Sequence, residues 1–368
     1  MTASGTVTND LPQFQPSIKG YCTIQSYQHL CYHRLLSPHI VMKSHLRSLV
    51  LALFTLGAWA EPNPLPGSSD VVVRDPAIWY NANLGKYFVF STKENIRIYT
   101  STSLTGPWTR TGSVLPNCSV IQLDGNCDLW APDINYIDGQ YVLYYSVSAI
   151  GSQNSAIGVA TSPSMEEGTW TDQGEVIRSN AGDVYNAIDP NIINADGLKL
   201  AFGSYWTGMY QVGLWPDIKT RASGLPGTHL AGNNGRPAEG GFVYKSPASE
   251  YYFMFFSDGI TPFVGATNRP DPGKEYKVLV GRGASGQGPF YGKLGNVLTD
   301  NINPPTGSLV LGSHDNVYAP GGQSIFLDPV SGRDVIVYHY IPNDAFGGAS
   351  YLGINYLDFS SGWPVVVA

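Results

Sequence analysis

The sequence predicts an all-β protein built as a five-bladed β-propeller, and three observations carry that prediction. The first is composition: of 368 residues 13% are charged and 12% aromatic, with 42 Gly, 26 Pro and 23 Tyr. Few Lys and Glu disfavour helices, whereas abundant Tyr, Gly and Pro suit short strands joined by tight turns. The second is a set of β-rich runs, at Lys86 to Ser91, Gln140 to Ser146, Tyr251 to Ser257 and Val335 to Tyr340. The third is recurrence of a short segment with an acid or Gly beside Pro or Ala. It appears as Arg74-Asp75-Pro76-Ala77, Ala131-Pro132-Asp133-Ile134, Ile188-Asp189-Pro190-Asn191, Pro237-Ala238-Glu239-Gly240-Gly241 and Ala319-Pro320-Gly321-Gly322. Five units of about fifty residues or more, each a strand meander, describe five four-stranded blades. A β-sandwich would not repeat the same order of elements five times.

From the N-terminus, Lys43, His45 and Arg47 form a basic start, Leu49 to Leu56 an apolar stretch, and Ala58-Trp59-Ala60 a small-x-small cleavage site. Residues 42–60 therefore read as a secretory signal peptide with Met42 as the true start, and 1–41 as a leader or gene-model extension. The apolar stretch is too short for a membrane span. The mature chain, 61–368, has no linker or composition shift and reads as one secreted, extracellular domain. The 21 basic and 28 acidic residues give a net charge of −7 with no basic block, which excludes a phosphate-tracking nucleic-acid binder. No membrane partner is expected, and the protein is expected to be a monomer.

Two of the four Cys lie in the mature chain. In an oxidising compartment Cys118 and Cys127, enclosing a short loop, are expected to pair; two free thiols are the alternative. With three His left there is no zinc pattern. Asn117-Cys118-Ser119 is a glycosylation sequon. Gly106-Pro107-Trp108-Thr109 is echoed at Gly168-Thr169-Trp170-Thr171 and, more weakly, at Gly288-Pro289-Phe290-Tyr291, downstream of the β-rich runs.

In a propeller the first strand of each blade lines the central channel, so residues at equivalent points of the repeat converge at one mouth. Asp75, Asp189 and Glu239 occupy such points. One Asp-Pro is a common turn opener. Three acids at matching positions point instead to catalysis, because unpaired buried carboxylates are costly.

These same segments, with Leu129-Trp130-Ala131-Pro132-Asp133 and Asn186-Ala187-Ile188-Asp189, resemble glycoside hydrolase family 43, and within it the fungal endo-1,5-α-L-arabinanases. The resemblance covers 71–368. It implies a five-bladed propeller that hydrolyses α-1,5-arabinofuranosidic bonds of arabinan with inversion, with Asp75 as general base, Glu239 as general acid, and Asp189 tuning and orienting Glu239. The chemistry is consistent: an inverting glycosidase needs one protonated carboxyl for the leaving oxygen and one ionised carboxyl to activate water. A second carboxylate near Glu239 would raise its pKa. Arg74 either holds an acid ionised or bridges blades.

Trp130, Tyr205 and Trp206 are candidates for stacking on sugar faces, with core packing as the competing reading. The resemblance also places Gly151, Asn186, Ala187, Ile188 and Ser204 along the sugar subsites. It makes His339 a hub residue near a calcium ion, with a hydrogen-bonded channel histidine as the alternative. No organic cofactor is expected. An exo-acting arabinofuranosidase or β-xylosidase of the same fold is one competing function, and a non-catalytic sugar-binding propeller another.

Overall fold

A computed structural model describes residues 61–69 and 71–368. The signal peptide and leader read at 42–60 and 1–41 lie outside the described residues. Among the described residues twenty strands form five antiparallel four-stranded sheets, each in simple sequence order from the inside outward.

Blade one holds β1 Ala77–Asn81, β2 Lys86–Ser91, β3 Arg97–Ser101 and β4 Thr109–Ser113. Blade two holds β5 Trp130–Ile137, β6 Gln140–Val147, β7 Ser155–Ser162 and β8 Thr171–Ser179. Blade three holds β9 Asn191–Asn194, β10 Leu198–Phe202, β11 Met209–Gly213 and β12 Thr228–Ala231. Blade four holds β13 Ala238–Tyr244, β14 Tyr252–Asp258, β15 Lys277–Gly283 and β16 Ser308–Leu311. Blade five holds β17 Val317–Leu327, β18 Asp334–Pro342, β19 Tyr351–Asp358 and β20 Val365–Val367. The inner strands β1, β5, β9, β13 and β17 touch their neighbours in a closed ring.

The turns follow from sequence. Asp138 and Gly139, at φ 48° and 82°, join β5 to β6 as a two-residue hairpin loop between the paired Ile137 and Gln140. The Asn81 side chain accepts from the amides of Asn83 and Leu84, turning β1 into β2.

Five apolar cores fill the five gaps between blades. Phe90 and Ile98 of blade one meet Leu143 and Tyr145 of blade two. Tyr144 and Ile157 meet Leu200 and Phe202 of blade three. Ala201 and Met209 meet Met254 and Phe256 of blade four. Phe253 and Phe255 meet Ile336 and Tyr338 of blade five, and Val335 and Val337 return to Val89 of blade one. The repeated Trp motif finds its reason here. Trp108, Trp170 and Phe290, each just before the outer part of its blade, pack into the gap shared with the preceding blade.

The segment ahead of β1 works as a strap along β19. The Leu65 amide donates to the Ile354 carbonyl (2.8 Å), Val73 to Ser350 (3.1 Å), and Leu352 to Val71 (3.2 Å). Cys118 and Cys127 are bonded, with Cα atoms 4.4 Å apart, closing the loop between β4 and β5. Asn117 beside them is exposed.

Candidate active site

Each inner strand is shortly preceded, or interrupted, by a residue of left-handed backbone: Asp75 (φ 46°), Ala131 (46°), Asp189 (56°), Gly240 (63°) and Gly322 (56°). Non-glycine residues rarely adopt this conformation unless their surroundings enforce it. The enforcement passes from blade to blade. The Ala131 amide donates to Thr92 Oγ1 just past β2 (2.8 Å), the Asp189 amide to Ser146 Oγ on β6 (3.0 Å), and the Gly322 amide to Ser257 Oγ on β14 (2.9 Å). The circuit closes where the Asp75 amide donates to Nδ1 of His339 on β18 (3.2 Å). Blade three departs from the pattern. Ser204, past β10, gives its hydroxyl to Glu239 Oε2 (2.7 Å), and the Gly240 amide turns to Asp189 Oδ2 (3.1 Å). A register shift in the β13–β14 pairing just after Glu239 aims its carboxyl into the hub.

The three predicted acids therefore meet at one mouth. Asp75 Oδ2 accepts from the Thr92 hydroxyl (2.7 Å). Burial raises the Asp75 pKa, against the Arg74 charge and the Thr92 bond. A raised carboxylate is a stronger base. Glu239 Oε1 accepts from the Tyr276 hydroxyl (2.9 Å). Burial raises Glu239 as well, while the Ser204 and Tyr276 donors pull it down. Asp189 is pushed well up, by burial first and then by the Glu239 charge. Tyr276, with its pKa raised by burial and by these carboxyls, stays a neutral donor.

Two adjoining cavities open over this cluster. The first, of about 310 Å³, is walled by Arg74, Asp75, Lys93, Trp130, Asp189, Glu239 and Phe263 among others. The second, of about 510 Å³, is walled by Trp130, Gly151, Asn186, Ile188, Ser204, Tyr205, Trp206, Glu239 and Phe263 among others. Glu239 stands in the wall of both. Lys93 reaches the first cavity from a turn of four successive residues, Lys93 to Ile96, at φ 82°, 49°, 60° and 64°. L-residues seldom string this conformation together.

Of the residues expected along the sugar path, Ala187 stands apart. It is fully buried in the core between blades two and three, its amide bonded to Ser179 Oγ (2.9 Å). Asp133, a repeat marker, touches the first cavity, yet its oxygens accept from the Ile192 amide (2.8 Å) and the side chains of Asn135 and Asn191, tying β5 to β9. Burial pushes its pKa up to about 7. Sequence reasoning passed over Thr92, Ser146, Tyr276 and Phe263. The first two end or follow β-rich runs, a repeat feature that was readable; Tyr276 and Phe263 belong to an insertion without a motif.

His339 is buried beneath Asp75, stacked on Tyr276 (5.8 Å between centroids), and held neutral by burial and by the Arg74 charge. Among the described residues no three His, Cys, Asp or Glu side chains gather as metal ligands. Calcium takes six to eight oxygen ligands, and one imidazole already bonded to the Asp75 amide does not make such a cage.

The sequence profile of Glycosyl hydrolases family 43 matches residues 69–364. The chain belongs to that family. Arabinan endo-1,5-alpha-L-arabinosidase A of Aspergillus aculeatus is 43% identical over 330 residues, covering 88% of this chain and all of the relative. Among solved structures, the Cellvibrio cellulosa alpha-L-arabinanase complexed with arabinohexaose superposes with a TM-score of 0.70 at 28% identity, covering 81% of this chain and 96% of that one. An exo-1,5-alpha-L-arabinanase from a bovine ruminal metagenomic library also reaches 0.70, at 27% identity and with 83% and 99% covered.

Proposed function

We propose that this glycoside hydrolase cleaves internal α-1,5-arabinofuranosidic bonds of arabinan with inversion at the anomeric carbon. One observation carries the reading: Glu239 stands in the wall of two adjoining cavities, so a polymer can extend to either side of the proton donor. The 43% identical relative named as an endo-acting arabinosidase supports it.

In the proposed reaction protonated Glu239 gives its proton to the glycosidic oxygen as the bond to C1 breaks. Asp75, on the first cavity's wall, takes a proton from a water whose oxygen attacks C1 from the opposite face. Asp189, bonded to the Gly240 amide, fixes the backbone after Glu239 and, as a like charge beside it, is assigned the tuning of the acid. Burial raises both carboxyls, which makes Asp75 the stronger base and favours the protonated form of Glu239. The calcium ion that the resemblance implies would find, among the described residues, only the His339 ring as a protein ligand, which does not fit its preference for oxygen, and no step runs through it.

The exo reading has support from the exo-named structural neighbour. Product sizing after brief digestion of linear arabinan, with xylan as control, separates the two. Mixed oligosaccharides support internal cleavage, and arabinose alone supports cleavage from chain ends. Secretion after cleavage at Ala60 and glycosylation at the exposed Asn117 complete the proposal, and the intact mass of the secreted protein tests both.

A further inference from the structure

The longest excursion at the catalytic mouth is the stretch from Gly259 to Tyr276, between β14 and β15. Its base is closed by backbone bonds from Ile260 to Lys274 (2.8 Å) and from Tyr276 to Ile260 (3.0 Å). Its tip leaves blade four altogether. The Gly265 amide donates to the Gly347 carbonyl of blade five (2.8 Å). In blade one, the Arg74 guanidinium donates to Thr261 Oγ1 (2.7 Å) and the Pro262 carbonyl (3.4 Å), and lies 5.2 Å from the Phe263 ring centre. Phe263, 54% exposed, is a wall of both cavities.

Arg74 has no carboxylate within ion-pair distance among the described residues, although Asp75 is its chain neighbour. Its planar fork is used on a hydroxyl, a carbonyl and an aromatic face, a combination that an ammonium group cannot reproduce. An exposed Phe beside a carbohydrate cleft offers a flat apolar face at little entropic cost. Its usefulness depends on the tip being held.

We propose that Arg74 is a positioning residue that clamps Thr261 to Phe263 across the channel mouth, so that the Phe263 ring forms a fixed wall against which an arabinan chain packs on both sides of the cleaved bond. The proposal rests on the arabinan reading above. Its contribution falls on polymer binding, not on bond cleavage, because neither Arg74 nor Phe263 transfers a proton.

The test uses Arg74→Lys, Thr261→Val and Phe263→Ala in the full-length enzyme. On linear arabinan each raises KM by about tenfold, the loss of one charge-assisted bond or one stacking face, with kcat within about twofold. Thr261→Val leaves the pH profile in place, since it removes no charge. Hydrogen exchange read at the Gly265 amide, without substrate, speeds up by about tenfold in Arg74→Lys and Thr261→Val. Unchanged exchange overturns the clamp whatever the substrate proves to be. Faster exchange with KM unchanged, or a loss confined to kcat, overturns the binding role. A wild-type enzyme inactive on arabinan would defeat the functional reading alone, leaving the exchange result to judge the clamp.

Discussion

A methyl group added at Gly322 should disable the enzyme through the proposed base, Asp75. A Cβ there would stand 2.4 Å from Asp75 Oδ1 and 2.7 Å from His339 Nδ1, where ordinary contact begins at 3.4 Å. The Asp75 carboxylate must therefore retreat by about 1 Å, and displacements of that size cost about a hundredfold in rate. Gly322 also has a φ of +56°, which by itself costs a side chain about 1 kcal/mol. Gly85 supplies the control: its φ is +61° and nothing lies within 4 Å of its added Cβ. Gly85→Ala should lose about 1 kcal/mol, or about 2 °C in melting temperature, and Gly322→Ala more, because its clashes add to the same backbone cost. Gly322→Ala alone should lose about a hundredfold in kcat on linear arabinan. A Gly322→Ala enzyme with wild-type kcat, or a Gly85→Ala enzyme equally impaired, would refute the reasoning.

In the proposed mechanism activity needs Glu239 protonated, so the alkaline limb of the pH–rate profile follows its pKa. Asp189→Asn removes a like charge and should move that limb to lower pH, whereas Tyr276→Phe removes a donor to the carboxylate and should move it to higher pH; shifts of the same sign would contradict these roles. Replacing both Cys118 and Cys127 by Ser frees a loop of nine residues' separation and should cost about 2–3 kcal/mol, read from denaturant unfolding with activity retained in the folded enzyme. A calcium ion at His339 predicts that chelation to a verified metal-free state lowers activity or melting temperature, and that His339→Ala abolishes that response. An unchanged metal-free enzyme would leave His339 as the acceptor for the Asp75 amide.

The propeller was legible because its repeat is written in residues that do the same work five times. The Asp-Pro and Ala-Pro segments mark the left-handed starts of the inner strands, and the Trp motifs mark the plugs between blades. The convergence of the three carboxyls was legible for the same reason, since matching positions in a closed ring must meet. Ala187 shows where motif reading stops: neighbours on an irregular segment face opposite ways, so Asn186 and Ile188 reach the cavity and Ala187 the core. Tyr276 and Phe263 were invisible because they reach the mouth through an insertion anchored on two other blades, a path fixed by tertiary contacts with no local period.

The hydrogen bond from the Asp75 amide to His339 spans 264 positions of the chain. During synthesis the segment bearing the base leaves the ribosome first, and the imidazole that sets its backbone arrives almost last. A chain cut before β18 would carry all three carboxyls and still have no acceptor for that amide and no mate for the strap along β19. On that account turnover reports that the ring has shut between the first blade and the fifth. Contacts so distant in sequence also form slowly. The bonds between the segment ahead of β1 and β19, in the wall between the first blade and the fifth, are therefore among the last that the fold can close.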